Sequence, residues 1–293
     1  MYFETEAMNG EFVNYLAKEA AVSSGLVQNK NGQLYLGVDS WSTLDPNGVG
    51  RASVRIRSNK YYNSGTLIIG DFAHITSNVC GIWPSFWMVG PQWPTNGEID
   101  ILEGVNEATQ NQVTIHTTPG CVPYVDSEGQ TGAIIANADC GAGGGDVGCG
   151  VLNTKSTGWA PGFNQVGGGI YAALWTGSAI KVWQFPRGQI PGDISRGEPW
   201  PESWGTPVAN WVGCDFSQLM NNMQIVGSIE PRVLPGLTLI EIVNTAFCGN
   251  WAGLVWSSGS CASAAATCHA FVAANPQAYS DAYWLINSIK VYQ

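Results

Sequence analysis

Gly97-Glu98-Ile99-Asp100-Ile101-Leu102-Glu103-Gly104 places three carboxylates within six residues of an otherwise apolar run. The whole chain of 293 residues holds only 22 acidic residues, and crowded like charges raise one another's pKa. As a helix, at about 100° per residue, the segment would turn Glu98 away from both Asp100 and Glu103. As a strand it puts Glu98 and Asp100 on one face, while Glu103 falls at an odd offset and faces the other way. One bulge residue at Ile101 or Leu102 returns Glu103 to the face of its neighbours, and bulges are common beside active sites. Strand is the expected state, because Ile99, Ile101 and Leu102 suit it and Gly97 and Gly104 bound it.

With that bulge, Glu98 and Glu103 become the ends of a three-acid row, their backbones about 13 Å apart. Side chains leaning inward bring the carboxyls to about 5 Å, the spacing at which one acid attacks a glycosidic carbon and the other protonates the leaving oxygen. Two other readings use the same residues. A calcium ion takes oxygen ligands of this kind, and acids on an exposed strand face need do nothing.

Outward from the row, short β-compatible runs recur between turn residues, at 33–38, 53–58, 65–72, 112–118, 169–175, 179–185 and 283–292. This rhythm predicts an all-β sandwich or barrel. Arg55 and Arg57 alternate with Val54 and Ile56, giving the second run one polar and one apolar face. The spacing predicts a single helix, over 262–274, stopped by Pro276. A glycine-rich loop spans 141–150, and 191–207, with four prolines and two tryptophans, is expected as a long surface loop. No composition shift divides the chain, so one domain over 1–293 is expected.

Charged residues are 12% of the chain, against a usual share of about 25%, while 37 glycines and 13 tryptophans suit a turn-rich sandwich with an aromatic open face. A net charge of −10 argues against nucleic acid and anionic membranes, which attract basic patches. No run of 18 apolar residues provides a membrane span. Eight cysteines form no CxxC pair that would suggest zinc, and their even number fits an oxidising, extracellular setting. Cys140 and Cys149 flank the glycine loop and are expected to bridge. Cys261 and Cys268, about 10 Å apart along the expected helix, are not. Met1–Glu6 has neither the basic start nor the apolar core of a signal peptide, which conflicts with that setting: either the cysteines are reduced and the protein is intracellular, or the start of the chain is missing.

Three histidines, His74, His116 and His269, make no metal motif. The strand of His116 follows the acid strand after a short turn, so His116 is expected beside Asp100 or Glu103; a structural histidine is the plain alternative. No GxSxG elbow, P-loop or dinucleotide fingerprint occurs. Aromatics gather before the acids, at Trp83, Phe86, Trp87 and Trp93, and again at Trp251 and Trp256. Trp83 and Trp87 share a strand face. Sugar rings rest on flat aromatic surfaces and present hydroxyls to groups such as Asn250 and Arg57; Trp83, Trp93 and Trp251 are the preferred ligand contacts, and other tryptophans are expected in the core.

The segment Gly97–Asn106 resembles the signature of glycoside hydrolase family 16. Cys80-Gly81-Ile82-Trp83-Pro84-Ser85-Phe86-Trp87, Thr114-Ile115-His116-Thr117, Phe247-Cys248-Gly249-Asn250-Trp251-Ala252-Gly253 and Ala282-Tyr283-Trp284 are similar to its fungal laminarinase branch, in order. The resemblance implies a concanavalin A-like β-jelly-roll sandwich with a cleft across its concave face. It further implies cofactor-free, metal-free retaining endo-hydrolysis of β-1,3 or mixed β-1,3/1,4-glucans by a secreted, monomeric enzyme. It casts Glu98 as nucleophile, Glu103 as acid and then base, and Asp100 as the residue tuning the pair. Trp83, Trp87, Trp93, His116, Asn250, Trp251 and Arg57 are expected at the substrate. Transglycosylation at the same site and a non-catalytic carbohydrate-binding protein are the alternatives. Against the family's pattern the chain starts late, lacking an initial strand whose loss would leave a sheet edge unpaired. Residues 227–242 resemble an insertion, expected to be a retained intron; transcript reads encoding it in frame at full abundance would overturn that.

Overall fold

The structure, a computed structural model, describes residues 2–8, 10–124, 129–136, 139–225, 228–229, 240–241 and 243–293. Two antiparallel sheets face each other. The first runs, in spatial order, Ala133–Ala136, Cys149–Leu152, Gln112–His116, Glu98–Glu103, Ile82–Val89, Met223–Ile225 and Tyr61–Tyr62, with Asn244–Phe247 also paired to Ile82–Val89. The second runs Ala209–Val212, Ala179–Pro186, Gly169–Trp175, Thr66–His74, Trp284–Tyr292, Gln33–Leu36 and Val27–Lys30. This is the all-β jelly-roll sandwich expected from the strand rhythm and the family resemblance.

Alternation decides which side of each strand is dry. Phe86, Met88, Ile99, Val113 and Ile115 of the first sheet are fully buried against Ile68, Phe72 and Trp175 of the second, forming the central core. Burying aromatic and branched side chains at about 25 cal/mol per Å² of apolar surface is the main force joining the layers. The far face of the second sheet is covered as well. There Leu67, Ile69, Ile170 and Trp183 pack under Ile194 and Trp204. The segment 191–207 is therefore not a bare surface loop. It contains a short helix, Gly192–Arg196, and pins Trp204 edge-on to Trp183 and Phe185 at 5.3 and 5.7 Å.

A third cluster joins Phe12, Val13 and Phe247 to Trp256, Val272 and Tyr279 beneath two disulfides, Cys80–Cys261 and Cys248–Cys268. Cys140–Cys149 forms as expected, and Cys121–Cys214 completes the set. The expected helix over 262–274 is two pieces, a 3₁₀ turn at Ser260–Ser263 and an α-helix at Cys268–Ala274. Thr267 restarts it by accepting a hydrogen bond from the Ala270 N–H at 3.2 Å, the capping that threonine favours. Cys261 and Cys268 do not pair with each other, but the reason is this break and their separate partners, not their spacing along one helix.

The expected strand over 53–58 is likewise divided, because the chain changes partners. Arg51–Ser53 pairs parallel with Val13–Tyr15, and Ile56–Arg57 pairs antiparallel with Tyr2–Phe3. The expected insertion at 227–242 lies largely outside the described residues; its flanks, Ser228–Ile229 and Ile240–Glu241, pair antiparallel. Among the described residues no helix is long and apolar enough to cross a membrane.

Candidate active site

The acid row lies on a bulged strand. Asp100 pairs with Trp87 and Leu102 with Phe86, so Ile101 is the extra residue against one neighbour. Against the other, Asp100 pairs with Thr114 and Glu103 with Gln112, the same one-residue shift. The bulge sends Ile101 and Leu102 into the core, both fully buried, and turns Glu103 back to the face of Glu98 and Asp100. Across from the acids on the same face stand Trp83, Ser85 and Trp87 on one side and His116 on the other, since residues two apart share a face.

Glu103 is buried, 8% exposed, yet well supplied with donors. The Trp83 Nε1–H donates to its Oε1 at 2.8 Å and the Ser85 hydroxyl donates to the same oxygen at 3.1 Å. Burial raises its pKa to about 7; the hydrogen bond from Trp83 opposes this, while Glu98 adds to it. Both donors use Oε1, so Oε2 is the oxygen left to carry a proton.

Asp100 is more deeply buried, and burial, then Glu98 and Glu103, raise its carboxyl well above the usual range. His116 Nε2 approaches Asp100 Oδ2 at 3.3 Å, an ion-pair contact rather than an aligned hydrogen bond, and Asp100 Oδ1 has no donor among the described residues. Burial alone would lower His116, but Asp100, Glu98 and the Gly145 carbonyl outweigh it and raise His116 to about 10. The pair thus binds a proton more tightly than exposed groups would. His116 Nδ1–H donates to the Gly145 carbonyl at 2.6 Å, which fixes the ring. The glycine loop is needed here: a Cβ on Gly148 would stand 2.7 Å from the His116 ring, and one on Gly145 would stand 2.8 Å from Pro94.

Aromatics border the row at both ends. Trp251, in the turn after Cys248, meets Trp83 edge-on at 5.9 Å. Trp93, 42% exposed, lies 6.4 Å from the His116 ring. Trp87 is buried; its Nε1–H donates to Asn244 Oδ1 at 2.8 Å and the Arg55 guanidinium lies 5.1 Å from its ring. It forms floor beneath Arg55. Arg57 is paired with Glu4 at 3.1 Å and stacked on Tyr2. Asn250 is exposed beside Gly10. The structure therefore gathers Glu98, Asp100, Glu103, Trp83, His116, Trp93 and Trp251, while the Arg57 guanidinium is engaged by Glu4.

Sequence reasoning passed over Ser85, Arg55 and Asn244. Ser85 was legible, because it shares the strand face of Trp83 and Trp87. Arg55 shares a face with Arg57, and alternation does not choose between them. Asn244 had no local signal, since it arrives from a distant strand. Among the described residues the trio of metal-type ligands gathered within 4.8 Å is Cys80, Glu107 and Cys261, two of them already joined as a disulfide. The acid row is more widely spread.

A family model described as the XgeA-like, catalytic GH16 domain matches residues 1–231 and 238–292, passing over six residues inside the expected insertion. A probable endo-1,3(4)-beta-glucanase of Neosartorya fischeri is 42% identical over 299 residues, covering 100% of this chain and 43% of the relative. Endo-1,3(4)-beta-glucanase xgeA of Emericella nidulans is 38% identical over 299 residues, covering 100% and 45%. The chain thus spans less than half the length of these relatives. Among solved structures, GH16 laminarinase 16A from Phanerochaete chrysosporium, with 6-O-glucosyl-laminaritriose in its donor and acceptor sites, matches with a TM-score of 0.85 at 35% identity, covering 100% of this chain and 94% of that one. An elongating GH family 16 beta-1,3-glucosyltransferase matches with a TM-score of 0.86 at 36% identity, with the same coverage.

Proposed function

The chain belongs to glycoside hydrolase family 16, in its XgeA-like branch, and from that membership we propose that it is a retaining endo-β-glucanase acting on β-1,3 or mixed β-1,3/1,4-glucans. The observation that carries this reading is the contrast within the acid row. Glu103 is buried with its pKa raised to about 7, whereas Glu98, on the same strand face, is partly exposed. Acid and nucleophile need such unlike surroundings.

Glu98 attacks the anomeric carbon as Glu103, protonated on Oε2, gives its proton to the departing glycosidic oxygen. The sugar is then held as an ester on Glu98. Glu103, now a carboxylate, takes a proton from water, whose oxygen attacks the same carbon and frees Glu98. Asp100 and His116 hold charge beside both acids, and Trp83 and Trp251 offer aromatic surface to the sugar ring next to the broken bond.

Activity on laminarin and lichenan tests the proposal: reducing ends should appear with the wild type and fall at least about 10³-fold in Glu98→Gln. A folded wild type that releases nothing from any β-glucan would favour a non-catalytic glucan binder. A fully active Glu98→Gln would remove the nucleophile assignment. A second reading draws on the likeness to the elongating glucosyltransferase. There a sugar hydroxyl replaces water in the second step, and longer products at high oligosaccharide concentration reveal it. The four disulfides support a place outside the cell, where we infer that the protein acts as a monomer; sedimentation velocity checks the latter.

A further inference from the structure

The bulge that aligns the acids leaves backbone groups without their ladder partners, and one side chain meets them. Asn111 is fully buried at the head of the Gln112–His116 strand. The Glu103 N–H donates to its Oδ1 at 2.6 Å, and its Nδ2–H donates to the Ile101 carbonyl at 3.2 Å. These two groups flank the inserted step, where the ladder to Gln112–His116 shifts register.

We infer that Asn111 is a positioning residue for the reaction: its amide spans the bulge and thereby sets where the Glu103 carboxyl stands relative to Glu98. This rests on the reading of Glu103 as the acid. The chemistry selects the residue type. An N–H needs an acceptor and a carbonyl needs a donor, and asparagine offers both on one short planar group. The amide orientation follows from the same partners. Aspartate supplies the acceptor but no donor toward Ile101, and leucine supplies neither. Asn111 is itself anchored. Its carbonyl accepts from the Asn153 N–H at 2.8 Å. Asn153 in turn donates from Nδ2 to the buried Tyr171 hydroxyl at 3.0 Å. The second sheet, through Tyr171, thus braces the bulge of the first.

The test compares kcat/KM on laminarin, whose leaving group needs a proton, with that on 2,4-dinitrophenyl β-laminaribioside, whose leaving group needs none. Both values report the step that forms the glycosyl-enzyme. Asn111→Asp, close in shape, and Asn111→Leu are measured beside Glu103→Ala, with folding checked by near-ultraviolet circular dichroism. A displaced acid costs the Asn111 variants at least about tenfold on laminarin and under about threefold on the aryl substrate. Asn111→Asp also shifts the alkaline limb of the laminarin pH profile. Equal losses on both substrates in a folded variant, or no loss on either, overturn the proposal. If Asn111→Leu does not fold, Asn111→Asp decides alone. Glu103→Ala separates the two readings. Should it show no contrast between substrates, the acid assignment falls and the role of Asn111 with it. Should it show the contrast while folded Asn111 variants do not, only the role of Asn111 falls.

Discussion

The indole nitrogen of Trp83 stands 2.8 Å from Glu103 Oε1, so the aromatic residue beside the acid row also holds the acid. Its hydrogen bond favours the ionised carboxylate and offsets part of the rise caused by burial. Trp83→Phe keeps a flat ring and removes the donor. The Glu103 pKa should then climb by about one unit, the scale of one hydrogen bond to a charged group. The alkaline limb of kcat/KM moves to higher pH by that amount; an unmoved limb would separate Trp83 from the acid.

With Glu103 as the proposed proton donor, wild-type activity should fall as pH rises through about 7, where its pKa lies. The check is a pH profile of kcat/KM on laminarin, with structure followed in parallel. An alkaline limb beyond pH 9 would mean that another group donates the proton.

The same burial has a consequence for stability. Glu103 titrates at about 7 in the fold, above its ordinary value of 4.5, so its contribution to stability is full below pH 4.5 and is lost as pH rises through 7. Glu103→Gln removes that loss. The variant should gain stability over the wild type at pH 8 and not at pH 4, by up to ~3 kcal/mol. Urea unfolding at the two pH values measures the difference.

His116 has the corresponding sign for a base. Its pKa is raised to about 10 by Asp100, Glu98 and the Gly145 carbonyl against the effect of burial. Its stabilising effect is therefore full below pH 6.5 and fades as pH rises through 10. His116→Gln should cost ~3 kcal/mol at pH 6, the low end for breaking a buried pair, because Asp100 can take up a proton instead. Urea unfolding at pH 6 and pH 10 should show the cost shrinking at the higher value.

All eight cysteines are paired. The denatured but unreduced protein should take up no iodoacetamide, and the reduced protein should take up eight equivalents by mass spectrometry. Cys80–Cys261 and Cys248–Cys268 together clamp the turn that carries Trp251, so Cys261→Ser should loosen that end of the site and cost about 2–5 kcal/mol.

Much of this site was legible in 97–104. The parity of a strand does not allow Glu103 to face Glu98 without one extra residue, and that residue is Ile101. Hairpin adjacency placed His116 beside Asp100 or Glu103 without choosing; its ladder partner is Glu98 and its ring reaches Asp100. What strand parity could not supply was the packing between distant segments. Asn244 reaches Trp87 across 157 residues, and the broken helix before Cys268 depends on two disulfides whose partners the spacing does not choose. Trp204 looked like loop because its polar neighbours hide one apolar contact face, which closes over Trp183 only in the assembled sandwich. Asn111 gave no signal because its role depends on the backbone groups that the bulge frees.

The most direct measurement follows lichenan or laminarin hydrolysis by proton NMR and watches the first anomeric signal to appear at the new reducing end. Two displacements, at Glu98 and then by water activated at Glu103, return the β configuration, so the β-anomer signal should rise first and the α signal only later by mutarotation. An α-anomer signal rising first would mean a single inverting displacement, and would contradict the assignment of Glu98 as a nucleophile.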